Sequence, residues 1–193
     1  MIFFLLLLLV LLLIASAFFS ASEAALVGLS RLRLRHLVQK GARHAKALEQ
    51  LIKHLDEVIT ALLVANNFVN AAISSIGAVL CIAWVGQKWG IPLATVIMGS
   101  TILLAGEITP KVFAIRHADR VGLVASPLLK ILINVLRPVV RLFTIASNAM
   151  LRTAGVELRP RSPLVTEEEL RIMIELGKEQ GVLGEEERVL LHR

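Results

Sequence analysis

Val58 to Gln87 reads VITALLVANNFVNAAISSIGAVLCIAWVGQ, thirty residues without one Asp, Glu, Lys or Arg. A helix of that length rises roughly 45 Å, whereas a bilayer hydrocarbon core is about 30 Å thick. The stretch is therefore long enough to cross a membrane with tilt or overhang. Two more charge-free stretches flank it, Met1 to Ser22 and Trp89 to Gly106. The 193 residues are 56% hydrophobic, a share that soluble domains approach, but there the apolar residues are interleaved with charge. Here they are segregated, and the mean hydropathy reaches +0.74. The fold class is an all-α membrane protein.

The net charge of +6 belongs to the topology. Seven Lys and Arg lie between Arg31 and Lys53, directly after the first apolar stretch. Lys111, Arg116 and Arg120 follow the third, and Lys88 alone separates the second from the third. Basic loops stay in the cytoplasm. The alternation gives an outside N-terminus, three crossings and a cytoplasmic C-terminus, in the inner or plasma membrane. Basicity so accounted for gives no reason to invoke nucleic acid. Cys81, the single cysteine, offers neither a disulfide nor a ligand cluster and reads as a small buried hydrophobe.

The expected spans are residues 2–27, 58–86 and 91–110. Ala15-Ser16-Ala17 imitates a cleavage site, but Met1-Ile2 supplies no positive n-region, so the first span is read as retained. Residues 29–54 interleave leucines with Arg, Lys, His and Gln, the pattern of basic helix near headgroups, broken at Gly41. Pro92 falls in the first turn of the third span, where proline is tolerated. Residues 119–154 are apolar but carry Pro127, Lys130, Arg137, Pro138 and Arg141. Cations at mid-bilayer cost about 2.5–3.5 kcal/mol each on insertion scales. A bent, re-entrant or interfacial helical hairpin is the expectation. Residues 1–158 thus form the membrane domain. From Arg159-Pro160 the chain becomes polar, and Thr166 before Glu167-Glu168-Glu169 starts an amphipathic cytosolic helix. The pattern is unfinished at Arg193, which suggests a longer protein.

Polar clusters stand where lipid excludes them. They are Ser20-Ala21-Ser22-Glu23, Asn66-Asn67-Phe68-Val69-Asn70 and Gly106-Glu107-Ile108-Thr109-Pro110-Lys111. Asn66 and Asn70, four apart, share a helix face. Hydroxyl, amide and carboxylate oxygens are hard donors, and no His or Cys accompanies them, so Mg²⁺, Ca²⁺ or Na⁺ suits them better than zinc or copper. Pro110 denies the Gly106 carbonyl its helical donor and leaves it able to face a cation. The candidate ligands are Ser20, Ser22, Asn66, Asn70, the Gly106 carbonyl and Glu107; Glu23, Asn67, Pro110 and Lys111 support them. Each has a plainer reading. The serines pack helices, the asparagines bond between helices, Glu23 pairs with Arg31 or Lys111, and Glu107 pairs with Lys111. Spacing alone reaches a cation site and stops there. No nucleophile–base pairing is visible, which argues against an enzyme.

These three segments, with Phe18-Phe19 before the first, resemble the transmembrane domain of the CorC/CNNM magnesium transporters. The likeness extends into the Glu-rich tail, and Gly106-Glu107-Ile108-Thr109-Pro110-Lys111 is its most specific element. It implies three spans with juxtamembrane helices in a homodimer within lipid, Mg²⁺ export with Na⁺ counter-transport, and ATP bound by cytosolic CBS domains beyond this chain. The other reading is a membrane-anchored cation sensor or scaffold whose ion is structural.

Overall fold

A backbone in hydrocarbon must satisfy its polar groups within its own segment, so charge-free stretches fold as helices. The computed structural model describes residues 2–153, and every element among them is helical. In order these are α1 (Ile2–Gly28), α2 (Arg31–Gln39), α3 (Ala45–Lys53), α4 (Leu55–Val85), α5 (Gln87–Thr101), a π-helical segment (Ile102–Ile108), α6 (Thr109–Arg116) and α7 (Ala118–Thr153). Residues 1–145 form one compact unit and 146–193 a second, and the packing is that of the first. The expected helix from Thr166 and the tail 159–193 lie outside the described residues.

Four segments are long and apolar enough to cross a membrane: Ile2–Gly28, Leu55–Val85, Gln87–Arg116 and Ala118–Leu151. The first three correspond to the expected spans with later or earlier ends. The fourth corrects the expected hairpin. α7 runs uninterrupted through Pro127 and Pro138. Pro127 cannot donate to the Leu123 carbonyl, but the Ser126 hydroxyl does so at 3.1 Å, so the helix continues. Proline and cations in this sequence mark an amphipathic helix, not a chain reversal.

On α1 the buried face carries Leu9, Ser16, Ser20 and, further round, Ser22, Ala25 and Leu26. Small residues there let neighbouring backbones come close, the usual source of helix association in lipid. α2 starts on Ser30, whose hydroxyl accepts the Arg33 amide at 3.3 Å. It ends before Gly41, whose φ of 67° is the left-handed turn that separates α2 from α3. Leu34, Leu48 and Leu51 of this pair bury against Leu26, Val58, Ala114 and Leu129, so the end of α1, the start of α4, α6 and the first half of α7 share one apolar core. Ion pairs pin its rim: Arg33 with Asp119, and Lys111 with Glu23.

The α4–α5 turn is tight. Gly86 reverses the chain at φ 83°, and the next helix begins at once at Gln87. Pro92 therefore sits inside α5, not in its first turn as expected. Gly90 packs directly on Ile82, and a Cβ there would stand 2.6 Å from the Ile82 Cα. No side chain fits.

α5 does not continue as α-helix into α6. Between Ile102 and Ile108 the turn widens to the π register, with the Thr109 amide bonded to the Leu104 carbonyl five residues back. The cause is local. Pro110 has no amide for the Gly106 carbonyl and its ring crowds it, so the preceding turn opens.

Candidate functional site

The wide turn places Glu107 beside α4, and Gly106 beside α1. Gly106 is buried, and a Cβ on it would lie 2.9 Å from the Ser16 hydroxyl. Only glycine lets the π turn approach α1 so closely. Across that approach runs one polar network. The Asn70 amide nitrogen donates to the Glu107 carboxylate at 3.0 Å. The Asn66 amide nitrogen is 3.4 Å from the Ser20 hydroxyl, a long bond. With the nitrogen ends so engaged, both oxygen ends meet at Ser16. Its Oγ lies 2.9 Å from Asn66 Oδ1 and 2.8 Å from Asn70 Oδ1.

A hydroxyl carries one proton. With both amide oxygens toward Ser16 it serves one of them. Only Asn70 has its orientation fixed, by the Glu107 carboxylate; turning the Asn66 amide over lets its nitrogen donate to Ser16 while the Ser20 hydroxyl donates to its oxygen. Ser16 and Ser20 are fully buried, while Asn66, Asn70 and Glu107 are half-buried. Two hydroxyls and two amides gathered beside a carboxylate make a polar spot of net negative charge in a medium that strengthens its field.

The network joins Ser20, Asn66, Asn70 and Glu107 from the sequence expectation, with Gly106 packed at its centre. It does not draw in the rest. Ser22 is buried, but its hydroxyl donates to the Phe18 carbonyl of its own helix at 2.7 Å. Asn67 is exposed and its amide donates to the Leu63 carbonyl at 2.9 Å. Glu23 pairs with Lys111 at 3.1 Å, which removes both from the network and leaves Glu107 without Lys111 as ion partner among the described residues. Pro110 acts through the backbone, by opening the turn. Ser16 was absent from the sequence expectation. Its signal was available, since Ser16 and Ser20 stand four apart exactly as Asn66 and Asn70 do.

Among the described residues no three of His, Cys, Asp and Glu gather. The donor set is two hydroxyls, two amide oxygens and one carboxylate, all hard oxygen. Such a set fits Mg²⁺, Ca²⁺ or Na⁺ and offers nothing of the nitrogen or sulfur that zinc and copper take.

Known proteins resemble this chain in sequence. The family model described as the cyclin M (CNNM) transmembrane N-terminal domain matches residues 7–187. A UPF0053 protein of Haemophilus influenzae is 32% identical over 157 residues, covering 81% of this chain and 37% of its own length. The UPF0053 inner membrane protein YfjD of Escherichia coli is 30% identical over 164 residues, or 84% and 38%. A chloroplastic DUF21 domain-containing protein of Arabidopsis thaliana is 31% identical over 174 residues, or 90% and 26%. The chain thus spans between a quarter and two fifths of the length of these relatives. With one family model covering nearly every residue, and apolar helices of membrane-crossing length, this chain is a multi-pass membrane protein of the CorC/CNNM family.

Proposed function

We propose that the chain is the membrane part of a Mg²⁺ transporter, and that the network on α1, α4 and the π turn holds the cargo ion. The observation that carries the reading is the gathering of Ser16, Ser20, Asn66 and Asn70 beside the Glu107 carboxylate. A cation drawn to that point meets the carboxylate charge and neutral oxygens together. Glu107 supplies charge, Ser16, Ser20, Asn66 and Asn70 supply neutral oxygens, and the Gly106 carbonyl is within the same turn. The hydrogen bond to Glu107 does a second job, because it fixes which end of the Asn70 amide faces the ion. Mg²⁺ takes near-octahedral oxygen at about 2.0–2.1 Å, and Ca²⁺ six to eight oxygens at about 2.3–2.6 Å. Few short donors on close-packed helices favour the smaller ion.

Access to either side follows from rocking of the helices around this site, as in other transporters with binding near the midplane. Export in exchange for Na⁺, and assembly as a homodimer, rest on family resemblance. The test is flux. Liposomes loaded with a Mg²⁺ indicator and containing the chain should gain or lose Mg²⁺ at a rate well above protein-free vesicles, with Ca²⁺ moved more slowly. Ion binding without any flux would favour the sensor reading, and faster Ca²⁺ movement would replace the cargo.

The reading also commits to a topology. α7 carries Lys130, Arg137 and Arg141 along its middle, so it lies along the cytoplasmic surface in spite of its length. Cysteines introduced at Gln39 and Lys178 should resist an impermeant thiol reagent in intact cells, and one at Lys88 should react. Labelling at 178 but not at 39 would make α7 a fourth crossing.

A further inference from the structure

Between the α3–α4 junction and α7 lies a cleft that the transport site does not use. It has two lobes of about 260 and 160 Å³, both lined by Glu57, Ile133 and Arg137. Arg141 lines the larger lobe and Lys130 the smaller. These three cations recur at seven and four residues on α7, which sets them on one face. Lys130 donates to Gln50 at 3.1 Å. Arg137 and Arg141 form no ion pair among the described residues, and neither does Glu57, the one acid in the cleft. The lining is therefore in surplus of positive charge.

α7 has a second exposed feature. Val124, Ile131, Val135, Leu142 and Ile145 are 62–76% exposed and repeat at helical spacing, forming an apolar stripe. Ile145 belongs to both the stripe and the wall of the larger lobe. A cationic recess thus opens onto an apolar track.

A free phosphate has use for the recess alone. A phospholipid has use for both, with a phosphodiester for the arginines and an acyl chain for the stripe, and basic pockets between helices at the cytoplasmic side suit acidic headgroups. We propose that this cleft binds an anionic phospholipid, its phosphodiester held by Arg137, Arg141 and Lys130 and its chain lying along α7. The charge surplus selects an anionic over a zwitterionic headgroup. Because α7 packs through Ala125 and Leu129 into the same core as Ala114 of α6, an occupied cleft steadies the helix that follows the π turn.

The test uses the full chain in neutral detergent, with melting temperature read during titration with phosphatidylglycerol, phosphatidylcholine or glycerol 3-phosphate. Phosphatidylglycerol should raise the melting temperature to a plateau, with little effect from the other two. Arg137→Gln or Arg141→Gln should move the titration midpoint about fivefold, and the double variant roughly 30-fold. Lys40→Gln with Arg43→Gln removes the same charge from exposed positions outside the cleft and should move it little. The proposal is overturned if phosphatidylcholine matches phosphatidylglycerol, if glycerol 3-phosphate alone suffices, or if the Lys40/Arg43 variant loses as much as the cleft variant. Stabilisation that follows protein concentration and ignores lipid would assign the cleft to a second copy of the chain. Should the double variant not fold, the two single variants carry the same comparison.

Discussion

If the proposed site holds Mg²⁺, Glu107→Ala should abolish the protection that the ion gives the folded protein against heat, and with it Mg²⁺ flux. An ion that binds only the native state at 100 times its Kd stabilises by about 2.7 kcal/mol. Without Glu107 the remaining donors are neutral, and that increment should vanish. The variant also strips Asn70 of its acceptor. A half-buried amide left unpaired costs about 1–3 kcal/mol, so the protein should be weaker even without Mg²⁺. Glu107→Gln separates the two effects. It can still accept from Asn70 but has no charge, so intrinsic stability should stay near wild type while Mg²⁺ protection is lost. Melting curves with and without Mg²⁺, taken within each variant, give both numbers. Full protection in Glu107→Gln would assign Glu107 to packing alone.

Gly106→Ala should damage both the fold and the proposed ion site. The new Cβ would stand 2.9 Å from Ser16 Oγ, and that oxygen cannot retreat because Asn66 and Asn70 hold it on the other side. α1 and the π turn must separate. Overpacking of this kind costs about 1–3 kcal/mol, and the oxygens it spreads are the ones proposed to meet the ion. Both the melting temperature without Mg²⁺ and the Mg²⁺ increment should fall. Gly99→Ala is the control, since a Cβ there meets nothing within 4 Å. It exchanges glycine for a better helix former and should be neutral or stabilising by about 0.5–1 kcal/mol. Equal behaviour of the two variants would deny the close approach any role.

Much of this was legible in the residues. Charge-free stretches dictate helices in lipid, and amides four apart on one of them dictate a shared face, which is where Asn66 and Asn70 stand. Glu107 stood out because a carboxylate in an apolar stretch needs a partner. Ser22 was misjudged for a reason that the helix itself supplies. Two residues from Ser20, it is turned about 200° away and cannot serve the same neighbour. The residue that can is Ser16, four before Ser20, which drew notice only as part of an Ala-Ser-Ala run that imitates a cleavage site. The π turn had a partial signal in Gly106 and Pro110. What no local pattern reveals is that α1 comes near enough to make Gly106 obligatory, since that depends on which helix lies opposite. α7 was expected as a hairpin because its cations are costly at mid-bilayer, whereas the chain sets them on one face of a continuous helix, in which Ser126 satisfies the carbonyl that Pro127 leaves.

The central claim is that Ser16, Ser20, Asn66, Asn70 and Glu107 surround one ion. A structure determined at saturating Mg²⁺ tests it most directly. The account predicts a density peak beside Ser16, between the Asn66–Asn70 face and Glu107, with oxygens of that set or their bound waters at about 2.0–2.1 Å. The peak should be gone after chelation. A Mg²⁺ peak elsewhere in the membrane domain, with Ser16 still in contact with Asn66 and Asn70, would contradict it.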